Sequence, residues 1–138
     1  MRTSFLTLSS VGRVGAALAL MALFLTPLRA DELTITIQCS PSSVVLHAVR
    51  SGDWLTVHAD IPYTYVARDT VRLEAPDGSL KAAITFADDR GDLVAKFRMS
   101  ELTGLLDTTV LTNDLTLTGR TTVGIPFAGA DTIRIVKK

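Results

Sequence analysis

From Leu33 onward the chain keeps changing sides. Leu33, Ile35, Ile37 and Cys39 alternate with Thr34, Thr36 and Gln38. Leu55, Val57, Ala59 and Ile61 alternate with Trp54, Thr56, His58 and Asp60, and Leu93, Ala95 and Phe97 alternate with Val94, Lys96 and Arg98. Successive side chains of a β-strand point to opposite faces, so this period buries one row and leaves the other outside. A helix would scatter the same residues around its axis. Composition agrees: 32 of the 108 residues after Ala30 are Val, Ile or Thr. Their β-branched side chains lose rotamer freedom in helices and pack well on a pleated sheet.

Turn-forming residues cut the pattern at short intervals. Pro41-Ser42, Ser51-Gly52-Asp53, Pro62, Pro76-Asp77-Gly78, the polar cluster 88–92 and Gly124-Ile125-Pro126 separate apolar segments at 33–39, 44–48, 55–61, 71–74, 80–86, 93–97, 114–122 and 130–136. Segment 44–48 is edge-like. One short helix is predicted, with Ser100 as N-cap, Glu101 in its first turn and Leu102, Leu105 and Leu106 on one face. The spacing predicts an all-β chain, an immunoglobulin-like Greek-key β-sandwich of about seven strands with that one helix. Its core should contain Leu55, Val57, Leu93, Phe97, Leu117, Phe127, Ile133 and Ile135.

Residues 1–30 read differently. Arg2 and Arg13 precede an apolar run at 14–25, Pro27 ends it, and Ala30 stands before Asp31-Glu32. That is the layout of a secretory signal peptide. The run is shorter than the roughly 18 to 20 residues that span a bilayer. Removal of 1–30 leaves 31–138 as a single domain, secreted or periplasmic, with no membrane contact after cleavage. That domain carries 11 Lys+Arg against 14 Asp+Glu, with no surplus cations for a run of phosphates, so nucleic acid is excluded as a partner. One Cys and two His exclude a disulfide scaffold and a Cys/His zinc cluster. Cys39 is expected to be a buried small hydrophobe, the alternative being an intermolecular disulfide.

Chemistry-bearing patterns are few. The chain has no G-x-S-x-G, no H-E-x-x-H, no P-loop and no dinucleotide fingerprint. No enzyme activity and no cofactor are expected. His58 and Asp60 share a strand face with Trp54 and Thr56, yet no motif places a nucleophile beside them, so outer-face hydrogen bonding is the expectation. Trp54 has two readings. Covered by residues 44–49 or 63–65 it belongs to the core; exposed, it forms with Tyr63 and Tyr65 an aromatic platform that stacks on sugar rings. Asp88, Asp89 and Asp92 offer three carboxylates in five residues with Arg90 among them. Calcium wants six to eight oxygens, so the cluster is a solvated turn or at most a weak calcium site.

Three stretches carry a family resemblance. Residues 52–62 follow a G-x-W-x-T-x-x-x-x-[IL]-P pattern, and residues 92–97 follow D-L-x-x-K-F with Met99-Ser100-Glu101-Leu102 behind it. Leu115-Thr116-Leu117-Thr118-Gly119 and the later Gly124 to Arg134 segment follow L-T-x-T-G…G-x-P-F-x-G-x-D-x-I-R. In that order the chain resembles a small β-sandwich module that recurs in secreted bacterial and archaeal proteins. The resemblance implies a non-catalytic extracellular module. Two positions depart from it: the family's D-x-D-x-D-G-like loop is here Asp88-Asp89-Arg90-Gly91-Asp92, and Val123 replaces an Asp before Gly124. The expectation is an exported module with a structural or protein-interaction role and an unnamed protein partner. The alternative is a small-ligand binder, for a glycan through Trp54, Tyr63 and Tyr65 or for calcium through Asp88, Asp89 and Asp92.

Overall fold

Each alternating segment of the sequence becomes a strand, and two of them become two strands each. The computed structural model describes residues 32–137; the expected leader at 1–30 lies outside them. In chain order the strands are β1 (Leu33–Thr34), β2 (Ile37–Ser40), β3 (Ser43–Val45), β4 (Trp54–Pro62) and β5 (Val66–Ala75). They continue with β6 (Gly78–Lys81), β7 (Ile84–Ala87), β8 (Asp92–Arg98), β9 (Thr112–Thr121) and β10 (Pro126–Val136). One short helix, α1 (Met99–Leu102), follows β8. The strands form two sheets, one in the order β2-β4-β8-β7 and one in the order β1-β10-β9-β5-β6, with β3 also paired to β10. Pairing is antiparallel except where β1 and β3 run parallel to β10.

Against the expectation of about seven strands, the described residues form ten. The predicted strand 80–86 breaks at Ala82-Ala83, where the chain leaves one sheet for the other. Ala82 N–H donates to Val71 O of β5 (3.0 Å) and Ala83 N–H to Lys96 O of β8, in the four-stranded sheet (2.9 Å). The segment 33–39 does the same at Ile35-Thr36: Ile35 N–H donates to Ala128 O, and Thr36 O accepts from Asp60 N–H. A period of two survives such a crossing, so alternation alone could not reveal it. The helix also differs from expectation. It starts two residues early, with Arg98 rather than Ser100 at the N-cap and no side-chain cap bond.

The core lies between the sheets and draws on both. All eight residues predicted for it are at most 2 % exposed. Leu55, Val57, Leu93 and Phe97 come from the four-stranded sheet, and Leu117, Phe127, Ile133 and Ile135 from the other. Gly119 makes room for Phe127, because a Cβ there would sit 2.5 Å from the ring. Buried Asn113 is engaged at both amide atoms: its Oδ1 accepts from Asp107 N–H (2.7 Å) and its Nδ2 donates to Asp107 O (2.9 Å). That clamp fixes the loop leading into β9, since a buried amide needs its partners. Among the described residues no helix is long and apolar enough to cross a membrane.

Candidate interaction face on the four-stranded sheet

The alternation that sends Leu55 and Phe97 inward sends Trp54 and Arg98 outward. The two lie opposite each other across the β4–β8 ladder. The Arg98 guanidinium stands 4.6 Å from the centre of the Trp54 ring and the Lys96 ammonium 5.2 Å from it. Cations at this range are held by the negative face of the indole. Neither has a carboxylate partner: among the described residues the one ion pair is Arg90 with Asp92, at 3.7 Å. Trp54 is half-buried. It also walls a cleft of about 320 Å³ with Pro41, Val44, Val49 and Met99. The 44–49 segment therefore flanks Trp54, as one sequence reading had it, but the indole stays outside the inter-sheet core.

Farther across the same face the surface turns apolar. Val94 lies between Phe86 of β7 and His58 of β4 in the ladder, and Ile84 lies beside Lys96. Ile84 and Phe86 are 43 % and 42 % exposed, whereas Val94 is 2 % exposed without belonging to the inter-sheet core. Its cover therefore comes from the outer face itself. Ile84, Phe86, Lys96 and Arg98 were not singled out from the sequence. The available signal was their parity: on β8 the apolar Val94 falls in the outward row, and no rule of burial by alternation accounts for it.

The aromatic platform expected of Trp54, Tyr63 and Tyr65 is not assembled. Trp54 opens β4 and the tyrosines follow its end. The eight residue steps of β4 alone, at roughly 3.3 Å each, put about 26 Å between them. The Tyr63 hydroxyl lies 3.3 Å from both the carbonyl and the hydroxyl of Thr85. Tyr65 is 58 % exposed at the end of the other sheet, its carbonyl accepting from Thr122 N–H.

The acidic loop serves its own backbone. Asp88 Oδ1 accepts from Asp92 N–H (2.9 Å) and Arg90 N–H (2.8 Å), and Gly91 takes a φ of +87° to close the turn. Those amides, Asp92's first, hold the Asp88 carboxyl below the usual carboxylate range. Asp92 faces the Arg90 guanidinium, and Asp89 is exposed. Among the described residues no three His, Cys, Asp or Glu side chains gather as a metal site would require. Asp60 is engaged as well, its Oδ1 accepting from Thr36 N–H at 2.8 Å. Asp60 thus holds the backbone leading into β2, while His58 lies between Gln38 of β2 and Val94 of β8 in the ladder.

Cys39 is buried on β2, 3 % exposed and free. Burial, reinforced by the nearby Asp131 carboxylate, pushes its thiol up to about 12. The same Asp131 accepts from the Cys39 backbone N–H (2.9 Å) and so links the edge of one sheet to β10 of the other. Compared with family models, with curated proteins and with solved structures, the chain matches none of them.

Proposed function

We propose that this chain is an exported, non-catalytic module that acts by binding another protein through the outer face of its four-stranded sheet. The observation that carries the reading is the pairing of exposed Ile84 and Phe86 with two cations, Lys96 and Arg98, that lack ion-pair partners. An apolar patch rimmed by polar groups is what interaction surfaces look like, and Trp and Arg are the residues that anchor them. Export rests on the leader layout of residues 1–30.

An immunoglobulin-like Greek key is the finer fold reading. Its support is the strand order: β2-β4-β8-β7 corresponds to A-B-E-D of that fold and β10-β9-β5 to G-F-C. The resemblance to the secreted bacterial and archaeal module is proposed on the sequence stretches alone. The glycan reading has less support, because Trp54 stands a strand length from Tyr63 and Tyr65.

One experiment tests export and face together. The protein is recovered from a secreting host, its N-terminus is sequenced, and it is cross-linked to proteins of the same medium alongside Arg98→Glu and Tyr65→Ala variants. The mature chain is expected to begin at or near Asp31, and Arg98→Glu but not Tyr65→Ala should lose the captured protein. An intact Met1 would remove the export claim; capture untouched by Arg98→Glu would remove the face.

A further inference from the structure

We propose that β7 is a strand-addition edge and that its occupant is β7 of a second copy of this chain, paired antiparallel about Thr85. The inference rests on the interaction-module reading and names one partner for it.

The sheet edges are not alike. The β2 edge is tied to β10 by Asp131, which takes the Cys39 amide. Strand β6 ends in a lysine, and β1 and β3 are two and three residues long. Charges, short strands and covered amides are the devices that keep edges from pairing. Strand β7 reads Ile84-Thr85-Phe86-Ala87, with no charge and no proline. No strand pairs with its outward side. The hairpin bond from Asp88 N–H to Asp92 O sets the alternation, so Phe86 turns its amide groups toward β8 and Thr85 and Ala87 turn theirs away. The Thr85 carbonyl takes the Tyr63 hydroxyl at 3.3 Å and keeps a second lone pair.

A two-fold axis beside Thr85 makes this edge complementary to itself. Thr85 then meets the second copy's Thr85, and each Ile84 lies opposite a Phe86 on the outer face. Such β-branched–aromatic pairs are among the favourable cross-strand neighbours. Charge fits too. Lys81 precedes β7 and the Asp88-Asp89 turn follows it, so antiparallel pairing brings each lysine toward the other copy's acidic turn. Parallel pairing would set lysine beside lysine and acid beside acid. A four-residue edge buries less than the roughly 1,200 Å² of a standard interface, so the dimer is expected to be weak, with Kd about 0.1–1 mM.

Sedimentation equilibrium over a concentration series of the exported protein tests this. Wild type should dimerise with concentration. Thr85→Pro removes an outward N–H without touching the β8 ladder and should stay monomeric. Phe86→Lys, at an exposed position that does not threaten the fold, should weaken the dimer by about tenfold or more. Lys81→Glu and Asp89→Lys should each weaken it, and the double variant should restore it. A wild type that stays monomeric to about 1 mM overturns the proposal. So does a dimer that persists in folded Phe86→Lys, or a charge-swapped pair that fails to recover. A monomeric wild type that still captures its partner through Arg98 would leave the interaction face standing.

Discussion

The inner and outer faces of the four-stranded sheet are written by the same residues taken alternately, and they obey different rules. Inside, Leu55, Val57, Leu93, Ala95 and Phe97 are all completely buried. Outside, Val94 is just as hidden while Ile84 and Phe86 on its own row are exposed. The inner face is filled by the opposing sheet, so every apolar residue there has a partner waiting. The outer face has only itself, so burial depends on which neighbours happen to be large. Alternation assigns a side chain to a face; it does not say what covers that face.

Three predictions press on this difference. The largest effect belongs to the inner face. Phe97→Ala should destabilise the fold by about 3 to 5 kcal/mol, a large part of the roughly 5 to 15 kcal/mol that holds a domain together. Urea unfolding measures it. A loss below about 1 kcal/mol, the level typical of exposed positions, would mean the two faces are not distinguished as described.

The second prediction uses Cys39, the ionisable side chain of the inner face. Its folded-state pKa is raised from the ordinary 9.0 to about 12. The unfolded chain therefore loses the thiol proton first, and stability is retained below 9.0 and lost as the pH climbs toward about 12. The limiting slope for one such group is about 1.4 kcal/mol per pH unit. Subtracting the pH profile of Cys39→Ala from wild type isolates it from other alkaline titrations. Identical profiles, or rapid native-state reaction with a thiol reagent, would place Cys39 at the surface.

The smallest effect should come from the outer face. Arg98→Ala should cost about 0.5 to 1 kcal/mol, the worth of an exposed cation on an indole. It should also open Trp54 to a soluble quencher. Unchanged emission and quenching in that variant would show that the guanidinium does not rest on the ring, and the cationic rim of the face would lose its anchor.

Much of this was legible in the chain. The eight core residues followed from parity, because a half-buried sheet repeats its demand every second residue. The hairpin at 88–92 was legible as a turn from its polar composition, though not as an Asp88 carboxylate holding two amides. The candidate interaction face was not legible. Sequence proximity groups Trp54 with Tyr63 and Tyr65, whereas a nine-residue extended strand carries them to opposite ends. Its actual neighbours, Lys96 and Arg98, are more than forty residues away in sequence and adjacent only across the ladder.

The sequence by itself determined which segments between 33 and 136 alternate, where the chain turns, and which side chains must avoid water, since these depend on local backbone geometry and transfer free energy. Tertiary structure alone decided that Ala82-Ala83 and Ile35-Thr36 cross between sheets, that Asp131 closes one edge, and that β7 has a strand neighbour on one side only. Those outcomes depend on which strands meet. Strand pairing is a relation between distant segments, and no single segment encodes it.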